Sequence, residues 1–318
     1  MSSRLKISLF IAIFFTVILF VAQKEPGKTH YESALEAVGI SQEPSRLLFV
    51  GDMMFDRTIR SIIEAKGSAY PFSCAKEYLK SFDVVIGNLE GPITEYASYS
   101  SGTKPGEPGN TTFTFSPNIV AELFAHNFLM LNLGNNHMHD FGRVGASSTA
   151  SYLEKGGVSY FGLPGGDLSQ TMDVNGRKIA FINYNQFLGQ DDPQKTREAI
   201  WKVKRTSDFI VVYTHWGEEY VPVGEYSKAV AHGFVDAGAD MVIGSHPHVV
   251  QEHELYKGKH IFYSLGNFIF DQYWMEEVST GLGVEVILDE SDIAVKEREF
   301  KILRDGRTCL VGGEEIFK

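Results

Sequence analysis

Carboxylate, amide and imidazole side chains recur along this chain in five short motifs: Gly51-Asp52, Gly87-Asn88-Leu89-Glu90, Gly134-Asn135-Asn136-His137, His215-Trp216-Gly217 and Ser245-His246-Pro247-His248. A borderline divalent ion such as Zn, Mn or Fe is bound by these groups. A metal centre is therefore the chemistry the residue types suggest, with Asp52, Asn88, Glu90, Asn136, His137, His215, His246 and His248 as ligand candidates. Each motif alone has a plainer explanation. Gly-Asp and Asn-Asn pairs are ordinary turn formers, and one strand-end histidine is more often core filler than a ligand. His246-Pro247-His248 is the most specific fragment, because in extended backbone two positions two apart point to the same side. His30, His126, His232, His253 and His260 lie in no such context and read as surface or structural, while His139 fits either group.

Every motif stands where an apolar run ends, at 47–50, 84–86, 128–133, 211–213 and 241–243. Side chains distant in sequence should then converge at one edge of a sheet. Strands are predicted near 46–51, 83–87, 128–133, 178–184, 208–214 and 240–244, and helices near 56–65, 72–81, 117–126, 143–155, 193–204 and 225–237. This alternation is the pattern of an α/β domain. Beyond Ser245 the runs 252–256, 259–264, 281–289, 293–303 and 307–312 read as antiparallel strands. The stretch 96–110, rich in Ser, Gly and Pro, reads as a long loop, either a flap over the site or a disordered excursion.

A chain of 318 residues with 43% hydrophobic composition can bury a substantial core, and its net charge of -11 argues against nucleic acid as a partner. Cys74 and Cys309 are too few for a disulfide framework or a thiolate metal cluster, and two unpaired structural thiols are expected rather than one long-range bridge. The N-terminus departs from this composition. Residues 7–22 form an uncharged apolar run flanked by Arg4, Lys6 and Lys24. A helix over 5–23, rising about 1.5 Å per residue, would just cross roughly 30 Å of hydrocarbon. A cleaved signal peptide is the competing reading, but bulky Phe20 stands where a small residue is wanted and favours a retained anchor. The expected organisation is a membrane anchor at 1–24, a polar stalk at 25–45 and one domain at 46–318. The protein would sit in the cell membrane as a single-pass chain with its C-terminal domain outside the cytoplasm.

Taken in order, the motifs resemble those of the calcineurin-like metallophosphoesterases. More closely, Gly51-Asp52-Met53-Met54, Asn88-Leu89-Glu90-Gly91, Asn135-Asn136-His137 with Asp140-Phe141-Gly142, His215-Trp216-Gly217-Glu218-Glu219-Tyr220, Gly244-Ser245-His246-Pro247-His248 and Tyr263-Ser264-Leu265-Gly266-Asn267-Phe268 resemble the CapA-type capsule-synthesis proteins, a family associated with poly-γ-glutamate. The resemblance implies a four-layer α-β-β-α sandwich with one or two divalent ions at the strand ends. It implies Asp52, Asn88 or Glu90, Asn136, His137, His215, His246 and His248 as ligands, with His137 and His215 as catalytic candidates. Arg57, Glu219 and Asn267 are assigned to substrate contact, with support of the ligands left open as another role for the Asn267 turn. Two positions depart from the phosphoesterase pattern: Met54 stands where a histidine ligand is usual, and Asn88 where a bridging aspartate is usual. Two function classes follow. One is a membrane-anchored component of surface-polymer production, working beside an amide ligase and a polytopic membrane subunit on an anionic polymer. The other is an extracytoplasmic metallohydrolase of phosphoesters or of the polymer, with an adhesion domain carrying a fossil site as a third possibility.

Overall fold

Near-continuous apolar runs in the central strands bury both faces of two sheets, and amphipathic helices cover their outer faces. The computed structural model describes residues 43–189, 192–290 and 292–317, with side chains to Val311. In chain order the elements are β1 (Ser45–Met53), α1 (Arg57–Lys66), α2 (Lys76–Leu79), β2 (Val84–Leu89), α3 (Ile119–Ala125), β3 (Phe128–Asn132), α4 (Gly142–Lys155), β4 (Ser159–Phe161), β5 (Ser169–Val174), β6 (Arg177–Asn185), α5 (Pro193–Val203), β7 (Phe209–His215), α6 (Glu225–Ala237), β8 (Met241–Ser245), β9 (His253–Tyr256), β10 (Lys259–Phe262), β11 (Asn267–Ile269), β12 (Thr280–Leu288), β13 (Ile293–Ile302) and β14 (Thr308–Phe317). Local chemistry starts the helices where the sequence predicts. Asp56 caps α1 by accepting the Arg57 N–H, and Asp192 caps α5 with Pro193 at its first position.

The larger sheet runs β14-β13-β12-β1-β2-β3-β4 with β11 alongside β1, and the smaller runs β5-β6-β7-β8-β10-β9. Period-two alternation divides their side chains. Leu48 and Val50 of β1 pack with Ile59 of α1, Leu123 of α3 and Leu153 of α4. Leu47 and Phe49, pointing the other way, meet Phe181, Val211, Tyr213 and Ile243 of the smaller sheet. The far face of that sheet, with Ile182, Ile210 and Val212, is covered by Ile200 of α5 and Phe234 of α6. Each such side chain, fully buried, contributes about 1.5–3 kcal/mol.

The structure corrects several expectations. Cys74 and Cys309 are joined in a disulfide, not free. Their separation of 235 residues hides a proximity created only when β14 docks beside the segment leading into α2. The helix predicted near 72–81 forms as a 3-10 turn, Tyr70–Phe72, and the single-turn α2, interrupted where Cys74 is bridged. The C-terminal strands are mostly antiparallel, but β10 pairs with β8 in parallel and so extends the smaller sheet. Strands β4, β5 and β11 are additions to the predicted set. The loop 96–110 is neither a disordered excursion nor free: Tyr96 and Tyr99 stack on Phe141, and Ser98 donates to Asp56 at 2.7 Å. No helix among the described residues is long and apolar enough to cross a membrane, and the anchor and stalk predicted over 1–45 lie almost entirely outside those residues.

Candidate metal centre

Strand register builds the site before any side chain is considered. In the larger sheet Asp52 is level with Asn88 on one side and Asn267 on the other, and Asn88 is level with Asn132. In the smaller sheet Asn185, His215 and Ser245 form a second row. Two polar rows thus lie at the carboxyl ends of strands, the usual ligand position in α/β sheets. Gly51 does not turn the chain, as its place before Asp52 suggested, but lies inside β1. A Cβ there would stand 1.9 Å from the Gly266 carbonyl oxygen, so glycine is what allows β11 to approach. His246 and His248 converge for a different reason from the predicted one. Neither is extended; both have positive φ, 96° and 58°, in a tight turn after β8. Such backbone costs of order 1–3 kcal/mol at each residue, and the His246 N–H holds the turn down by donating to Asp52 Oδ2 at 3.0 Å.

Asn88 reaches the site with its nitrogen, not its oxygen, facing inward. Its Oδ1 accepts from Asn132 Nδ2 at 2.9 Å and Asn135 Nδ2 at 3.0 Å. Backbone partners fix those two amides: Asn135 donates to the Leu89 carbonyl and accepts the His137 N–H, and Asn132 accepts the Gly134 N–H. Asn88 Nδ2 therefore donates to Asp52 Oδ1 at 2.8 Å and faces Glu90 Oε2 at 3.4 Å and His215 Nδ1 at 3.3 Å. An amide coordinates through oxygen, so in this orientation Asn88 positions its neighbours and offers no ligand atom. Asn183, from the smaller sheet, extends the ladder by donating to Asn132 Oδ1 at 2.8 Å.

The remaining donors point together. Glu90 Oε1 and His246 Nδ1 are buried without a hydrogen-bond partner. His248 Nδ1 faces Asn267 Oδ1 at 2.9 Å, which leaves Nε2 directed at Glu90 Oε1, 3.6 Å away. Three groups present ligand atoms within 4.8 Å of one another: Asp52, Glu90 and His248; Glu90, His215 and His246; and Glu219, His246 and His248. The first two are fully buried and share Glu90, whereas Glu219 is exposed. Met54 supplies nothing, since its sulfur accepts the Asp56 N–H at 3.0 Å within the apolar core.

Burial sets the ionisation of this cluster. It pushes the Glu90 carboxyl well up, and the neighbouring Asp52 charge pushes it further. Burial also raises Asp52, but hydrogen bonding and charge from His248, with His215 and the His246 N–H, outweigh it and hold Asp52 well below the carboxylate range. Burial holds His215 well below the usual imidazole range and His246 down at about 4. Neutral imidazoles beside a carboxyl group that burial and Asp52 keep from ionising are a donor set that a cation completes by displacing the proton. The two partnerless atoms, Glu90 Oε1 and His246 Nδ1, show that the residues present fit such an ion.

The other expected residues take distinct places. His137 is 15% exposed, with Nδ1 on Asp140 at 2.9 Å and Nε2 4.0 Å from Glu90 Oε1, so it stands at the mouth of the cluster. His215 is fully buried and both nitrogens are engaged, Nε2 with Asn136 Oδ1 at 2.8 Å and Nδ1 with Ser245 Oγ at 2.9 Å. Arg57 is bonded to Asp271 and lies over the rings of Phe113 and Phe270. Asn267 is fully buried and cannot contact a substrate; it orients His248 and donates to the Val278 carbonyl. Asn132 and Asn183 were missed. Asn132 ends an apolar run just as Asp52 and Asn88 do, which was a usable signal, but Asn183 lies inside a strand and carries none.

Residues 46–272 match the family model described as bacterial capsule synthesis protein PGA_cap. The chain is 32% identical over 264 residues to capsule biosynthesis protein CapA of Bacillus anthracis, covering 76% of this chain and 63% of that protein. It is 33% identical over 246 residues to the PGA biosynthesis protein CapA of Bacillus subtilis, covering 71% and 63%. The chain thus spans somewhat under two thirds of the length of these relatives. Among solved structures, a hypothetical protein from Thermus thermophilus aligns over 86% of this chain and 98% of its own, at 17% identity and a TM-score of 0.49.

Proposed function

Because this chain belongs to the bacterial capsule synthesis family PGA_cap, we propose that it is an accessory component of capsule or poly-γ-glutamate production, with a metal centre on a four-layer metallophosphoesterase-type fold. We place it at the cell membrane, anchored through 1–24 with 25–45 as stalk and the domain from 46 outside the cytoplasm. The apolar run 7–22 supports the anchor, and the Cys74–Cys309 disulfide supports an oxidising compartment. Its partners on this reading are an amide ligase, a polytopic membrane subunit and the anionic polymer.

The observation that carries the metal centre is the pair of buried, partnerless atoms, Glu90 Oε1 and His246 Nδ1, inside a ring of donors. Asp52, Glu90 and His248 would hold one divalent ion, of the Mn, Zn or Fe kind. Glu90, His215 and His246 would hold a second only if His215 gave up Asn136 or its Nδ1 partners. When bound, such an ion supplies Lewis-acid polarisation of a substrate oxygen. The chain's own residues do the rest. Asn88 clamps Asp52, Asn267 fixes the ring of His248, and His137, steadied by Asp140, moves a proton at its Nε2. His215 acts from below by positioning Asn136. Glu219, at the rim, is the group placed to meet a substrate.

The test is complementation of a deletion strain together with metal analysis of the purified chain. Wild type should restore surface polymer and carry stoichiometric metal, and a D52A/H248A double variant should do neither. Polymer fully restored by a metal-free variant would reduce the role to scaffolding. A second reading, hydrolysis of phosphoesters or of the polymer, is favoured by the His137–Asp140 pair, which a scaffold does not need. Release of phosphate from a model phosphoester, or of fragments from poly-γ-glutamate, would separate the two.

A further inference from the structure

Beside the donor cluster lies a cavity of about 690 Å³ that its residues do not line. The size is within the ~300–1,000 Å³ of small-ligand sites. Its walls come from three segments: His139 and Arg143 at the start of α4, Leu163 and Leu168 on the β4–β5 connection, and Leu188 and Lys195 around the entry to α5. Among the described residues no Asp or Glu lines it, although the chain holds 40 of them against 29 Lys and Arg. Among those same residues, the side chains of His139, Arg143 and Lys195 have no ion pair or hydrogen bond. Lys228, Lys257, Lys259 and Lys301, by contrast, each sit on a carboxylate. The cavity also adjoins the centre. The segment bearing Leu188 starts from Phe187, whose ring lies 4.4 Å from that of His246, and His139 follows His137 by two residues.

We propose that this cavity is a binding subsite for a polycarboxylate chain, holding successive carboxylates of an amide-linked acidic polymer next to the candidate metal centre. Cations from separate segments suit several spaced charges better than one compact anion. The leucines between them suit the methylene stems that carry those charges. In a protein of net charge -11, a pocket walled by unpaired cations also gives a polyanion one place where repulsion is locally reversed. The substrate class rests on the polymer-handling reading above; the location does not.

The experiment is binding of fluorescently labelled oligo-γ-glutamate to the full chain at low ionic strength, with inorganic phosphate as a second probe. R143A/K195A should weaken oligomer binding by about tenfold or more, the loss of charge-assisted contacts, and R143K/K195R should restore most of it. K202A, which removes an exposed lysine that does not line the cavity, should stay within about twofold of wild type. Unchanged melting temperatures would show that the exposed substitutions leave the fold intact. Equal oligomer binding by R143A/K195A and wild type would overturn the subsite while leaving the polymer reading standing. Phosphate binding that R143A/K195A abolishes, with no oligomer bound by wild type, would overturn the carboxylate assignment. Binding of neither probe would overturn the proposal, and failure of the polymer reading is seen separately in the complementation test.

Discussion

The two sheets contribute different chemistry to the centre. Asp52, Asn88 and Asn132 stand on β1, β2 and β3 of the larger sheet, with Glu90 just beyond β2, whereas His215, His246 and His248 come from the ends of β7 and β8 in the smaller. The larger sheet's half is held in advance by an amide ladder anchored on backbone groups. In the smaller sheet's half, burial holds His215 and His246 below the usual imidazole range, and the turn carrying His246 and His248 is folded over Asp52. Each of the two buried donor groups draws from both sheets, and only the group containing exposed Glu219 comes from one. The centre is thus a property of the packing between sheets: Asp52 and Glu90 come from the larger sheet, and the imidazoles that complete their donor groups come from the smaller.

The sharpest way to break this division is to remove one donor from each half. D52A/H248A should abolish divalent-ion binding, a loss of more than about 100-fold in competition with a chelator. N88D should set a third carboxylate against Asp52 and Glu90: one oxygen still accepts from Asn132 and Asn135, but the other replaces the N–H that donates to Asp52 with an acceptor. The metal-free protein should lose about 3 kcal/mol or more in urea unfolding, and added divalent ion should recover part of it. C74A/C309A tests the opposite edge of the larger sheet. It should cost about 2–4 kcal/mol and leave metal affinity unchanged, because neither cysteine belongs to the donor groups. N267A should leave the donors in place but free the His248 ring, lowering metal affinity by about 10–100-fold. The smallest effect is expected from D140N, which should shift metal affinity by less than about threefold while slowing any proton-dependent turnover, so that the two readouts separate.

What was legible in the sequence were the features that depend on near neighbours. The apolar runs that became β1, β2, β3, β7 and β8, the capped starts of α1 and α5, and the placing of Asp52, Glu90, His215, His246 and His248 at strand ends all follow from periodicity and turn chemistry within a few residues. Those same patterns also carried the family resemblance. Only the tertiary structure decided which atom of each polar group faces the site. Asn88 looked like a ligand by type and position, yet the backbone-anchored amides of Asn132 and Asn135 turn its oxygen away. Asn267 looked like a contact residue, but β11 lies buried against β1 and commits it to His248. Cys74 and Cys309 meet only because β14 pairs with β13 at the edge of the larger sheet. Amino-acid type and spacing set which groups are carried to a strand end; orientation depends on hydrogen bonds between strands far apart in the chain, which no local pattern encodes.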